Sequence, residues 1–253
     1  MKSNYIFNKT VQINDSLKQQ CETLYNECCT IDSLKHPCCF EDDFDLFPNS
    51  PRLYYVTLEN RLLGFLSVYI LDDNNVEICT FVHPDDRKKH IGQKLLNLFF
   101  DDYDTTNIEV SMAPNNNLGI KFLIQNNFQL SSTELLMSVQ LSSFIKKNTY
   151  KPSFKKVFSS HTFKYIMDNK YIGSCHISFL SDTHIFISDV EISENYRNKG
   201  LGYQFMREVF DNFAPFFTSA SLHVSKENIP AYKLYQKLGF KESDSTLIYT
   251  LHN

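Results

Sequence analysis

The chain has 253 residues, of which 42% are hydrophobic and 21% are charged, as is typical of a folded globular protein. Its net charge of −4 argues against a nucleic-acid partner, because nucleic-acid-binding domains usually carry a basic surface. No stretch approaches the roughly 18 apolar residues of a membrane span, and the first residues lack the apolar core of a secretory signal. We therefore expect a cytoplasmic protein that binds neither a membrane nor nucleic acid.

Seven cysteines, an odd number, favour reduced thiols over a disulfide framework in this setting. Two adjacent pairs, Cys28-Cys29 and Cys38-Cys39 with His36 between them, also invite interpretation as a zinc site. Neighbouring cysteines point in different directions on a helix or strand, however, and no Cys-x-x-Cys spacing is present. We therefore expect no bound metal and interpret these residues as apolar or surface cysteines.

The first half of the chain predicts an amphipathic helix and then alternating strands and helices. Residues Ser16–Cys29 place apolar side chains at helical spacing. Further along, short apolar stretches bounded by turn residues predict strands, and longer stretches of period 3.6 predict helices. In chain order we predict strands at Arg52–Leu58, Leu62–Leu71 and Val76–Val82, a helix at Ile91–Tyr103, a strand at Asn107–Met112, a helix at Leu118–Asn126 and a strand near Glu134–Leu141.

The second half repeats this order without a comparable amphipathic start. Its predicted elements are strands at Thr162–Met167, Tyr171–Phe179 and His184–Ile192, a helix containing Phe205 and Phe213, a strand at Ala220–Val224, a helix at Ala231–Leu238 and a strand at Leu247–Leu251. Residues 146–153 are basic and contain a proline, so they form the natural linker. The repeat predicts two related α/β domains, 1–145 and 154–253.

Each half carries a basic, glycine-bearing turn between a strand and a helix. The second turn reads Arg197-Asn-Lys-Gly-Leu-Gly202, and the first reads Arg87-Lys-Lys-His-Ile-Gly92. Backbone N–H groups converge at such a turn, the helix dipole favours an anion, and glycine permits close approach of a phosphate. The sequence thus predicts a phosphate site in the second half, which has both glycines.

Residues beyond the second turn extend this pattern: Asn228, Ala231, Tyr235 and Leu238-Gly239-Phe240. With Val190-Glu191-Ile192 and the turn, they resemble the GNAT superfamily of acetyl-coenzyme A-dependent N-acetyltransferases, and the resemblance occurs once in each half. It implies two tandem GNAT-like domains, each a mixed, mostly antiparallel sheet flanked by helices. It also implies acetyl-coenzyme A (acetyl-CoA) as cosubstrate and a small-molecule or peptide amine as acceptor.

The resemblance further implies a coenzyme A site in the second half. Its residues are Val190, Ile192, Arg197, Asn198, Lys199, Gly200, Leu201, Gly202, Tyr203, Asn228 and Tyr235. Tyr235 matches the family's tyrosine that donates a proton to the departing thiolate. The attacking amine must be neutral, and because a lysine-type amine has a pKa of ~10.4 it needs a base. His223 and Glu191 are the candidate bases, and a chain of water molecules is the alternative.

The first half departs from this pattern at two positions. His90 replaces the first glycine, and Leu123 occupies the position of Tyr235. A Cβ at residue 90 would crowd a pyrophosphate and leucine cannot protonate a sulfur, so we predict that this copy is catalytically silent and binds coenzyme A poorly or not at all. The alternative is weaker binding through Gly92 and the basic side chains Arg87, Lys88 and Lys89. The second half has no room for the two helices that usually wall the acceptor site in the family, so the first domain or a second chain is expected to supply that wall. The alternative function is a non-catalytic acetyl-CoA-binding or regulatory module.

Overall fold

The computed structural model describes residues 4–33, 50–103, 107–144 and 162–252. These residues group into unit 1, made of Met1–Ser132 and Thr246–Asn253, and unit 2, made of Thr133–Ser245. In chain order the elements are β1 (Ile6–Thr10), α1 (Asp15–Asp32), β2 (Leu53–Leu58), β3 (Arg61–Ile70), β4 (Asn75–Val82), α2 (Ile91–Asp102), β5 (Asn107–Met112), α3 (Asn117–Gln125), β6 (Gln129–Gln140), β7 (Thr162–Met167), β8 (Lys170–Ser181), β9 (His184–Ile192), α4 (Leu201–Phe213), β10 (Ser219–Ser225), α5 (Ile229–Lys237) and β11 (Lys241–His252).

Unit 1 is a mixed sheet with helices on both faces. Its strand order is β1-β2-β3-β4-β5-β11, and only β4 and β5 are parallel neighbours. Helices α2 and α3 share one core with the sheet, in which Leu95, Leu96 and Phe99 are buried. Helix α1 packs on β3 and β4 through a second core made of Cys21, Leu24, Cys28, Leu53, Leu62 and Phe65.

Unit 2 has the same strand pattern with helices described on one face. Its order is β6-β10-β9-β8-β7, and β9 and β10 are the parallel pair. Helix α4 buries a stripe of side chains at helical spacing, and α5 adds Tyr235 to the same core. The mixed α/β architecture expected from the sequence is confirmed.

The last strand of each sequence half pairs within the other unit. The strand predicted near Glu134–Leu141 forms as β6, but its residues 134–140 pair with β10. Residues 247–252 of β11 pair with β5. The predicted linker, residues 146–153, lies outside the described residues. The two units therefore differ from contiguous sequence halves at these two strands.

Candidate active site

A β-bulge distorts strand β9 just before the glycine turn. Ser174 of β8 lies opposite Glu191, and His176 lies opposite Ser188, so that Asp189 and Val190 together face a single β8 residue. Asp189 has φ +52°, a left-handed conformation that aspartate tolerates better than most residues. Pairing of β9 with β10 ends at Ile187. Beyond that point none of the strands described by the structure pairs with the edge of β9 that faces β10.

The equivalent strand of unit 1 has no bulge. Strand β4 pairs with β3 from Val76 to Val82 without a shift of register. It has eight residues, whereas β9 has nine. The sequence contains a signal for this difference, because Gly64 and Gly173 are 109 positions apart but Gly92 and Gly202 are 110 apart. The extra residue of the second copy falls in β9.

The glycine turn of unit 2 is shaped as an open anion cradle. Asn198 and Gly200 have φ of +60° and +76°, and α4 begins at Leu201. A Cβ built on Gly200 would meet no protein atom within 4 Å, and one on Gly202 would only touch Leu234 and Ile192 at 3.4 and 3.6 Å. The first hydrogen bond within α4 runs from Gln204 N to Gly200 O. The N–H groups before Gln204 therefore have no acceptor within the helix. This open cradle of N–H groups fits a pyrophosphate.

The basic side chains of this turn carry no ion pair among the described residues. Arg197 braces the turn, since its Nε donates to the Ile192 carbonyl at 2.8 Å, and Lys199 Nζ donates to the Asn195 carbonyl at 2.8 Å. In unit 1, Arg87 makes the same brace to Val82, but its guanidinium is also bound bidentately by Asp32 at 2.8 and 2.6 Å. The charges of Arg197 and Lys199, which have no carboxylate partner among the described residues, can therefore meet an anion.

Helix α5 carries Tyr235 into the core of unit 2, which also contains Cys175. The helix starts at Asn228, whose Oδ1 accepts from Ala231 N at 3.3 Å, so this predicted coenzyme A ligand acts in the structure as a helix cap. Tyr235 is 5% exposed, and its hydroxyl bonds to no described residue. Burial raises its pKa to about 12, with a smaller contribution from Cys175, which lies opposite the bulge on β8. The phenol therefore keeps its proton at neutral pH.

The two candidate bases lie on the opposite face of the unit 2 sheet from α4 and α5. Glu191 is exposed and follows the bulge directly. His223 is exposed on β10, and its ring meets Phe186 edge-on with centroids 5.3 Å apart. The structure thus places the phenol of Tyr235 on the helix side of β9 and the side chains of Glu191 and His223 on the other side.

The cysteine pairs are only partly within the described residues. Cys28 lies on the buried face of α1, where its Sγ donates to the Val82 carbonyl at 3.5 Å, and Cys29 of the same helix is half-buried. His36, Cys38 and Cys39 lie outside the described residues. Within the described ranges, no three ligating side chains are grouped as a metal site, and no helix is long and apolar enough to span a membrane.

Comparison with known proteins places this fold in a family. The model of the acetyltransferase (GNAT) family matches residues 18–125 and, a second time, residues 133–240. No curated protein matches the chain. A GCN5-related N-acetyltransferase from Sphaerobacter thermophilus is 10% identical, with a TM-score of 0.69 over 98% of this chain and 95% of that one. A tandem GNAT protein from the clavulanic acid biosynthesis pathway is 14% identical, with a TM-score of 0.68 over 98% of both chains.

Proposed function

Because the chain belongs to the acetyltransferase (GNAT) family, we propose that unit 2 transfers an acetyl group from acetyl-CoA to a primary amine. This proposal rests on the differences between unit 2 and unit 1. Unit 2 combines the bulge at Asp189, the open cradle at Gly200 and the unpaired hydroxyl of Tyr235. At the equivalent positions unit 1 has a regular strand, His90 and Leu123.

Binding in this proposal rests on backbone groups. The N–H groups of Asn198–Tyr203 hold the pyrophosphate, and Arg197 and Lys199 add positive charge beside it. The unpaired edge of β9 at Val190–Ile192 is left to bind the pantetheine arm in the way one strand binds another. The acetyl group then lies at the bulge, between Tyr235 and Glu191.

The chemistry requires two proton movements. The amine nitrogen bonds to the acetyl carbon while the carbon–sulfur bond breaks, the amine loses one proton, and coenzyme A leaves as a thiol. Tyr235, protonated at neutral pH, donates to the leaving sulfur, whose conjugate thiol has a pKa of ~8.5. Glu191 or His223, directly or through water, accepts the proton of the amine. In this proposal a backbone N–H of the bulge donates to the oxyanion.

A pair of matched substitutions tests which copy works. Gly202→Glu places a carboxylate at the cradle of unit 2, and Gly92→Glu does the same in unit 1; glutamate is favourable in the first turn of a helix, so both should fold. With acetyl-CoA, we expect the melting temperature to rise for the wild type and for Gly92→Glu but not for Gly202→Glu. Release of thiol in the presence of amines should follow the same order. The reverse order would refute the proposal, and binding without turnover for any amine would refute its catalytic part.

A further inference from the structure

The sheet face of unit 2 that carries Glu191 is polar where the same face of unit 1 is apolar. In unit 1, Phe65 and Phe81 are register partners with ring centroids 5.6 Å apart, and α1 packs over them. The register partners at this place in unit 2 are Ser174 and Glu191. None of the described elements of unit 2 is a helix on this face. The side chains of this face therefore suit water or a polar ligand.

Hydrogen-bonding groups surround Glu191 on this face. The Ser174 hydroxyl accepts a hydrogen bond from the Tyr171 hydroxyl at 2.9 Å. On its other side Ser174 pairs with Lys164 of β7, so Glu191, Ser174 and Lys164 form one row across three strands. Lys164 is about 10 Å from β9 in this row. One row further along, Ser188 lies opposite His176. The same face carries two rings in edge-on contact, those of Phe186 and His223.

We infer that the acceptor is a cationic amine that carries several hydroxyl groups, of the amino-sugar class. This inference rests on the proposed function. The carboxylate of Glu191, next to the bulge, complements the ammonium group of the arriving amine, which releases one proton to water before the neutral amine attacks the acetyl carbon. Hydroxyl groups of the acceptor exchange hydrogen bonds with Ser174 and Ser188, and the Phe186 and His223 rings offer an apolar surface to the C–H face of a sugar ring. An alkyl amine gains little at such a face, and it leaves polar groups unpaired there.

The test compares three ring amines as substrates of the full-length protein with saturating acetyl-CoA, with thiol release as the readout. The probes are glucosamine, cyclohexylamine and glucosamine 6-phosphate. We expect kcat/KM for glucosamine to exceed that of each of the other two at least tenfold. Equal or faster acetylation of cyclohexylamine overturns the inference, and so does preference for the phosphate ester, which would assign recognition to Lys164. Failure to acetylate glucosamine also overturns it.

A substitution at Ser174 tests whether the acceptor binds on this face. Ser174→Phe restores the aromatic residue that unit 1 has at Phe65, and we expect it to lower the preference for glucosamine over cyclohexylamine at least fivefold. Ser181→Phe is the control, because Ser181 lies seven residues, about 23 Å, further along β8 and beyond Ser178, the register partner of Phe186; it should change the preference less than twofold. Equal effects of the two variants refute this location. The acetyl-CoA-dependent rise in melting temperature, measured in parallel, shows separately whether the proposed function stands.

Discussion

Placing in the unit 2 turn the residue found at the same position of the unit 1 turn should abolish acetyl-CoA binding by unit 2. Gly200→His gives the second turn the residue that the first turn has at His90, where φ is +59° against +76° at Gly200. The backbone therefore accepts histidine, at a cost of about 1 kcal/mol for a side chain in the left-handed region. For a chain of 253 residues, 1 kcal/mol corresponds to roughly 2–4 °C in melting temperature. Without ligand, the variant should fold and have a melting temperature lower than that of the wild type by this amount.

The effect on ligand binding should be larger than the effect on folding. The added Cβ meets no protein atom within 4 Å, so it enters the space assigned to the pyrophosphate. Loss of two hydrogen bonds to charged oxygens, each worth about 1.5 kcal/mol, weakens binding roughly hundredfold. At a concentration of acetyl-CoA 100 times the wild-type dissociation constant, the ligand stabilises the wild type by about 2.7 kcal/mol, or roughly 5–11 °C. The variant should gain about 0.4 kcal/mol, or roughly 1–2 °C.

Differential scanning fluorimetry measures both quantities, with His90→Gly as the reciprocal control. Unit 1 also lacks the bulge, and Arg87 is already paired with Asp32. His90→Gly should therefore leave the acetyl-CoA-dependent shift at its wild-type value. If Gly200→His retained half of the wild-type shift, the pyrophosphate could not lie against residue 200, and the assignment of the cradle would be refuted.

Three further predictions concern Tyr235 and the bulge. Tyr235→Phe removes the proposed proton donor and should lower kcat about 100-fold or more in a thiol-release assay. The control Tyr249→Phe makes the same change at a buried tyrosine of unit 1 and should leave kcat within twofold of the wild-type value. Equal effects of the two substitutions would contradict the role of Tyr235. The pKa of Tyr235 is about 12 in the native state against ~10 in the unfolded chain, so only the unfolded state loses this proton as the pH rises above 10. Urea denaturation at pH 8 and 11 should therefore show the wild type losing about 1 kcal/mol more than Tyr235→Phe, and equal losses would refute the raised pKa. Deletion of Asp189 should give β9 the regular register of β4, with thiol release reduced at least tenfold and circular dichroism retained; unchanged turnover would show that the bulge is dispensable.

The local elements were predictable because their signals are local. Apolar periodicity predicted a helix over Ile91–Tyr103, and the structure has Ile91–Asp102. Strand β1, at Ile6–Thr10, was not predicted from the sequence. Its five residues include only two large apolar side chains, and it forms as the antiparallel partner of β2. Tertiary pairing, rather than local preference, accounts for that strand.

The pairing of β6 with β10, the pairing of β11 with β5 and the geometry of the site depend on contacts between residues distant in sequence. A strand pattern such as that near Glu134–Leu141 predicts a strand but does not determine its neighbour, so the pairing of β6 with β10 was not predictable. The sequence singled out the turn and Tyr235, both of which the structure places in unit 2. It did not reveal Cys175 opposite the bulge, because nothing local distinguishes a core cysteine beside a tyrosine from any other.

The two copies use equivalent positions for opposite purposes. In unit 1, Arg87 satisfies its guanidinium on Asp32 and Leu123 fills the core, so these groups stabilise the fold and have nothing left for a ligand. In unit 2, the guanidinium of Arg197 has no carboxylate among the described residues, and the Tyr235 hydroxyl has no partner there. Arg197 is exposed, so both groups remain available to a bound molecule, as the acetyl-CoA site proposed in unit 2 requires.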